Sequence, residues 1–159
     1  MTRDLSLRSR QRVRKIDLRY LRKIVLGCLE DLRHVTEFEL AIQIVGRQEI
    51  AGLNERYLQH RGSTDVITFD YLGRPSKKSI HGDIFVCIDE ALEQAKQFGT
   101  SWQSELVRYI VHGILHLIGY DDRTPRLQRR MKRVEDKLVA QLIRRFPASS
   151  LEKRTVRHG

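Results

Sequence analysis

"SWQSELVRYIVHGILHLIG", residues 101–119, decides how the chain folds. Leu106, Ile110, Ile114 and Leu117 recur at three- and four-residue steps, the helical period. The remaining sides are apolar almost all round, so this helix has no solvent face and is predicted to be central. Gly119 ends it, and "TSWQ" before it has the spacing of a capping box, Thr100 to Gln103.

Elements of two other kinds surround it. "FELAIQIVG" (38–46) changes to a period of two, with Phe38, Leu40, Ile42 and Ile44 on one side, which predicts a half-buried strand. "DVITFDY" (65–71) and "GDIFVCI" (82–88) read as two more strands, joined through "LGRPSKKS". A first strand is expected within residues 5–16. Helices are predicted from Asp17 (stripe Leu18, Leu21, Val25, Cys28, Leu32), over 47–58, and from Asp89 as N-cap to Phe98, closed by Gly99. Thr124 and Pro125 open the last helix, which carries Leu127, Met131, Val134, Leu138 and Leu142 and stops at Pro147. The expected fold is an α/β (α+β) sandwich, a small mixed four-stranded sheet with helices packed around the central helix. Residues 1–147 form the single domain, and the basic tail 148–159 is expected to be disordered.

The central helix also carries chemistry. In "HGILHLIGYDD" (112–122), His112 and His116 lie four apart, one above the other on one helical face. Their imidazoles can converge on a zinc ion. Gly119 can turn the chain back, bringing Asp122 round as third ligand, with Asp121 as the competitor. Three protein ligands leave a fourth position for water, the catalytic type of zinc site. A carboxylate in place of a third imidazole lowers the net charge of the centre and weakens its acid character. The competing reading is two hydrogen-bonded core histidines.

The chain of 159 residues has 30 Lys+Arg against 20 Asp+Glu, a net charge of +10. That excess favours a polyanion, most simply nucleic acid, as partner. Candidate contacts are "RSRQRVRK" (8–15) and "RLQRRMKR" (126–133), where Arg126, Arg129, Arg130 and Arg133 recur at helical spacing. Cys28 and Cys87 are far apart in apolar surroundings, which excludes a disulfide framework and points to a reducing compartment. With no signal-peptide pattern and no apolar run near 20 residues, a cytosolic location is expected.

These residues resemble a known family. His112-x3-His116-x2-Gly119-Tyr120-Asp121-Asp122 is similar to the His-x3-His-x5-His motif of the YbeY endoribonucleases. "LNERYLQHRGSTDVITFDY" (53–71) and "HGDIFVCIDEALEQA" (81–95) resemble two further blocks of that family, in order, so that the likeness spans roughly residues 38–135. The resemblance implies a metal-bearing α/β sandwich and metal-dependent cleavage of single-stranded RNA. It further implies roles in ribosomal RNA maturation and ribosome quality control, with the ribosomal subunit or its proteins as partners. It places one zinc on His112, His116 and Asp122. Two positions depart from the family pattern: Asp122 replaces a histidine, and Leu58 follows Tyr57 where the family commonly has arginine. Arg61 and Arg56 are the nearby candidates for phosphate contact.

Two rival readings remain. A zinc protease would need an acid directly after the first histidine, and that residue is Gly113. A non-enzymatic RNA- or ribosome-binding protein would hold a structural metal or have lost it. Asp65 and Asp83 read as turn or capping residues, His60 and His81 as loop histidines, and Trp102 as a packing anchor.

Overall fold

The computed structural model describes residues 2–74 and 76–153. Its elements run β1 (Arg3–Ser9), α1 (Leu18–Asp31), β2 (Glu37–Val45), α2 (Arg47–Leu58), β3 (Val66–Asp70), β4 (Ser79–Cys87), α3 (Ile88–Phe98), α4 (Trp102–Leu117) and α5 (Pro125–Arg145). A short 3-10 turn follows at Ala148–Leu151. The sheet has the order β1-β2-β4-β3. Strands β1, β2 and β4 are parallel, and β3 returns antiparallel along β4. The expected mixed four-stranded α/β sandwich is the fold observed.

Register sets which side chains meet the helices. Leu7, Ile42 and Ile84 form one row across three strands, and Ser9, Ile44 and Val86 the next. Because side chains alternate across a strand, these rows face the layer of α1 and α4, while Val45, Ile67, Phe85 and Cys87 face α2 through Ile50 and Leu53. α4 lies at the centre, touching α1, α3, α5, β3, β4 and the 3-10 turn. Leu106, Ile114 and Leu115 on it have no exposed surface, as an all-round apolar helix requires.

Two close approaches fix how α4 sits on the sheet. A Cβ built at Gly113 would lie 2.9 Å from Ile84 Cγ2, so only glycine lets the helix backbone come down on β4. At Gly82 a Cβ would run into the Phe69 carbonyl and the Leu117 side chain. Beyond α4, Gly119 adopts φ 102°, the left-handed turn that sends the chain into α5.

Several local expectations are corrected. The first strand occupies residues 3–9, and β4 begins at Ser79 rather than 82, since its early residues pair with Glu37–Glu39. The capping box at Thr100 is not formed; Ser101 caps α4 through its hydroxyl, and Thr100 donates to Glu105 instead. Asp89 lies inside the first turn of α3, where its carboxylate accepts from the Arg47 amide and so caps α2. His81 is a strand residue paired with Glu39, not a loop residue. The tail is ordered through Lys153: Leu151 is fully buried, its carbonyl accepts from the Asp17 amide, and Lys153 donates to Lys15. Residues 154–159 lie outside the described residues.

Candidate metal centre

His112 and His116 project from the last two turns of α4, and the Gly119 turn returns Asp122 to them. The three donor atoms all lie within 4.8 Å of one another. His112 Nε2 is 3.0 Å from His116 Nε2, which is 3.4 Å from an Asp122 oxygen. Tetrahedral zinc with bonds of about 2.0–2.1 Å spaces its ligand atoms about 3.3 Å apart. The two separations to His116 match that spacing, and the His112–Asp122 pair, within 4.8 Å, closes onto it with a small movement of the exposed Asp122 side chain.

The far sides of both rings explain why these nitrogens face inward. His116 Nδ1 is 3.1 Å from the Tyr120 carbonyl, which can only accept, so Nδ1 carries the hydrogen and the neutral ring presents a lone pair at Nε2. His112 Nδ1 is 2.6 Å from Glu135 Oε1, a charge-assisted contact that fixes the same tautomer. Two lone pairs then meet at 3.0 Å with a carboxylate beside them. That arrangement repels unless a cation lies between them, a metal or a proton.

Glu135, which touches His112 directly, was missed in reading the sequence. It is a buried acid on α5, one turn after Met131 and one turn before Leu138 and Val139, all buried. Its other oxygen accepts from Arg108 at 2.9 Å, and Arg108 also reaches Asp136 at 2.6 Å. Burial opposes ionisation of Glu135, but hydrogen bonds from His112 and Arg108 outweigh it and hold its pKa below the ordinary value. Burial likewise disfavours charge on His112, yet the Glu135 hydrogen bond and charge raise its pKa above the ordinary value. The available signal was a lone acid on an apolar helical face, which requires a partner.

The two aspartates differ in what each touches. Asp121 accepts from the Arg123 side chain at 2.6 Å and from its amide at 3.0 Å, which holds its carboxyl below the usual range. Asp122 is the one facing His116. Gly113 faces Ile84 on β4 with no room for a Cβ, so a proton-transferring side chain has no place there.

The remaining candidates lie further out. Arg56 is exposed in the last turn of α2, its guanidinium 6.0 Å from the Tyr57 ring, and Arg61 is exposed in the loop that follows. Among the described residues, no hydrogen bond or ion pair joins either to His112, His116 or Asp122. That loop is tied down by Asn54, whose amide donates to the Gly62 carbonyl, and by Ser63 bonding Glu90. Asp65 turns the chain into β3 by accepting from the Val66 amide, Asp83 accepts from the Tyr71 hydroxyl, and Trp102 is buried packing.

The chain is similar to proteins of known family. The profile of the endoribonuclease YbeY family matches residues 6–143. An endoribonuclease YbeY of Chlorobium luteolum is 39% identical over 106 residues, covering 67% of this chain and 75% of that one. The endoribonuclease YbeY of Salinibacter ruber is 35% identical over 120 residues, 68% of this chain and 76% of its own. The solution structure of TM1509 from Thermotoga maritima superposes with a TM-score of 0.66 over 98% of this chain and 99% of that one, at 22% identity, which speaks to the fold. A match over this length places the protein in the endoribonuclease YbeY family.

Proposed function

We infer that the chain is a metal-dependent endoribonuclease of ribosomal RNA processing, and we propose that its metal is one zinc ion held by His112, His116 and Asp122. The observation that carries the zinc assignment is the pair of inward-facing imidazole lone pairs, fixed by the Tyr120 carbonyl and Glu135, with Asp122 beside them. Two nitrogens and one carboxylate oxygen are a donor set suited to zinc. Zinc bound there supplies Lewis-acid polarisation of a phosphodiester and water acidic enough to react near neutral pH.

The protein's own part is orientation and charge. Glu135 and the Tyr120 carbonyl hold the two Nδ1 protons, which keeps both rings aimed inward. Arg108 balances the buried carboxylate. Exposed arginines, Arg56 and Arg61 on one side and those of α5 on the other, are the candidates for holding phosphates. We place the activity in the cytoplasm, on single-stranded small-subunit ribosomal RNA, with the ribosomal subunit as partner and ribosome quality control as a further role. Among the described residues no helix is long and apolar enough to cross a membrane.

The test is cleavage of single-stranded ribosomal RNA oligonucleotides by the zinc-loaded chain, beside His112→Ala and His116→Ala. Cleavage that needs zinc and disappears in both variants is expected. RNA binding that survives both substitutions, with no cleavage by the wild type, would favour a binding protein instead. Casein digestion abolished by His116→Ala would return the protease reading.

A further inference from the structure

A second cavity lies behind the turn that presents Asp122. It measures about 290 Å³ and is lined by Ile118, Tyr120 and Leu127, with His34, Lys77 and Arg130 at its edge. None of the three metal ligands lines it, but Asp121 does, and Asp121 immediately precedes Asp122. Its wall is therefore the Gly119–Asp121 segment of that turn, whose Tyr120 carbonyl faces His116. Leu127 and Arg130 also line a neighbouring groove together with Thr124, Arg126 and Arg133. An apolar cavity and a basic groove thus share two residues beside the metal ligands.

We propose that this cavity receives one unstacked base of the RNA, while Arg126, Arg130 and Arg133 hold the adjoining phosphates. The proposal rests on the reading of the chain as acting on RNA and names what selects the substrate. The Tyr120 ring already has the Arg130 guanidinium 5.9 Å from its centre, and aromatic rings and guanidinium planes are the surfaces on which single-stranded bases stack. Ile118 and Leu127 supply the apolar floor, and the cationic edge matches the phosphates on either side of a base. The volume is at the small end for ligand pockets, enough for a single base. A paired base cannot enter, because it remains stacked in its helix. Preference for single strands then follows from the shape of this pocket, without any reading of sequence by the metal centre.

The test is titration of the full chain, in chelator so that the phosphates cannot bind a metal, with AMP, UMP, ribose 5-phosphate and inorganic phosphate, followed by NMR. The nucleotides are expected to shift the signals of Ile118, Tyr120 and Leu127 as well as those of Arg126, Arg130 and Arg133, and the two base-free probes only those of the three arginines. Leu127→Lys puts a polar head into the cavity while adding positive charge; it should weaken nucleotide binding about tenfold without weakening phosphate binding. Arg130→Ala, on the surface, should weaken both. Zinc content should be unchanged in either variant. Equal shifts from ribose 5-phosphate and nucleotides, or nucleotide binding untouched by Leu127→Lys, would overturn the proposal. Because the chelated protein is read for binding alone, nucleotide binding beside a failure to cleave would end the nuclease reading and leave this pocket standing.

Discussion

Glu135 on α5 and His112 on α4 are joined at 2.6 Å, so the packing of two helices sets the direction of a proposed metal ligand. Glu135→Gln keeps an acceptor but removes the charge, and Glu135→Ala removes both. Losing such an outer partner typically costs metal affinity about 10–100-fold. The alanine variant should fall at the high end of that range and also lose about 1–3 kcal/mol of stability, because Arg108 and His112 each lose a partly buried partner. Competition with a fluorescent zinc chelator, together with urea melts, separates the two effects. Wild-type zinc affinity in Glu135→Ala would refute the orienting role.

The two aspartates should behave differently although they are neighbours. Asp122→Ala removes a donor at the site and should reduce zinc affinity by more than the roughly 100-fold that marks the upper end for outer partners. Asp121→Ala breaks a contact with Arg123, whose side chain is largely exposed, and should leave zinc binding within a few-fold of wild type. Asp122→His restores three imidazoles and should bind zinc at least as tightly as wild type. Elemental analysis of tag-free proteins checks all three. Equal losses from Asp121→Ala and Asp122→Ala would mean that the turn, not the ligand, is what matters.

How much of this was legible follows from the range of each signal. α4 was readable because an unbroken apolar period extends over four turns, and the return of Asp122 towards His116 because a glycine ended that period just before it. β2 was readable because its inner face alternates cleanly, Phe38 to Ile44. β1 was blurred: it is an edge strand with mostly polar residues, and Leu5 is its one buried residue. Glu135 was missed because a stripe is counted from apolar residues, and the acid that completes the site occupies one of its positions. The order of the tail depends on the buried side chains of Ala148 and Leu151 and on backbone pairing of Glu152 with Ile16, and neither leaves a periodic trace. The identity of the cap, Ser101 rather than Thr100, depended on where the helix axis falls, which two adjacent hydroxyl residues do not specify.

The position that would carry a protease's acid is closed by packing. A Cβ at Gly113 would meet Ile84 Cγ2 at 2.9 Å and Cδ1 at 3.0 Å. Gly113→Ala gains about 1 kcal/mol of helix propensity but overpacks a buried contact at a cost of about 1–3 kcal/mol. A net loss of stability is expected in urea denaturation, and Gly113→Glu should yield little folded protein rather than a protease. The pair Gly113→Ala and Ile84→Ala should be less harmful together than the sum of each alone, since the second substitution clears the space. Strict additivity would show that Gly113 matters for another reason.

Cys28 and Cys87 should be inert until the chain unfolds. Both are buried. Burial pushes the Cys28 thiol up to about 12, with Asp31 adding to the effect and Arg145 opposing it, and burial raises Cys87 as well. A raised thiol pKa means that between about 9 and 12 the folded chain keeps a proton the unfolded chain has lost. The folded state then binds more protons, so stability falls as pH rises through that window and is insensitive to these groups below it. In wild-type protein at pH 8, a thiol reagent should label neither cysteine until urea is added. Thermal melts from pH 8 to pH 10.5 should show a decline that is shallower in Cys28→Ala, compared as slopes because the substitution also leaves a small cavity. Rapid labelling of the native protein, or identical slopes, would mean that Cys28 is reached by solvent on the timescale of the assay.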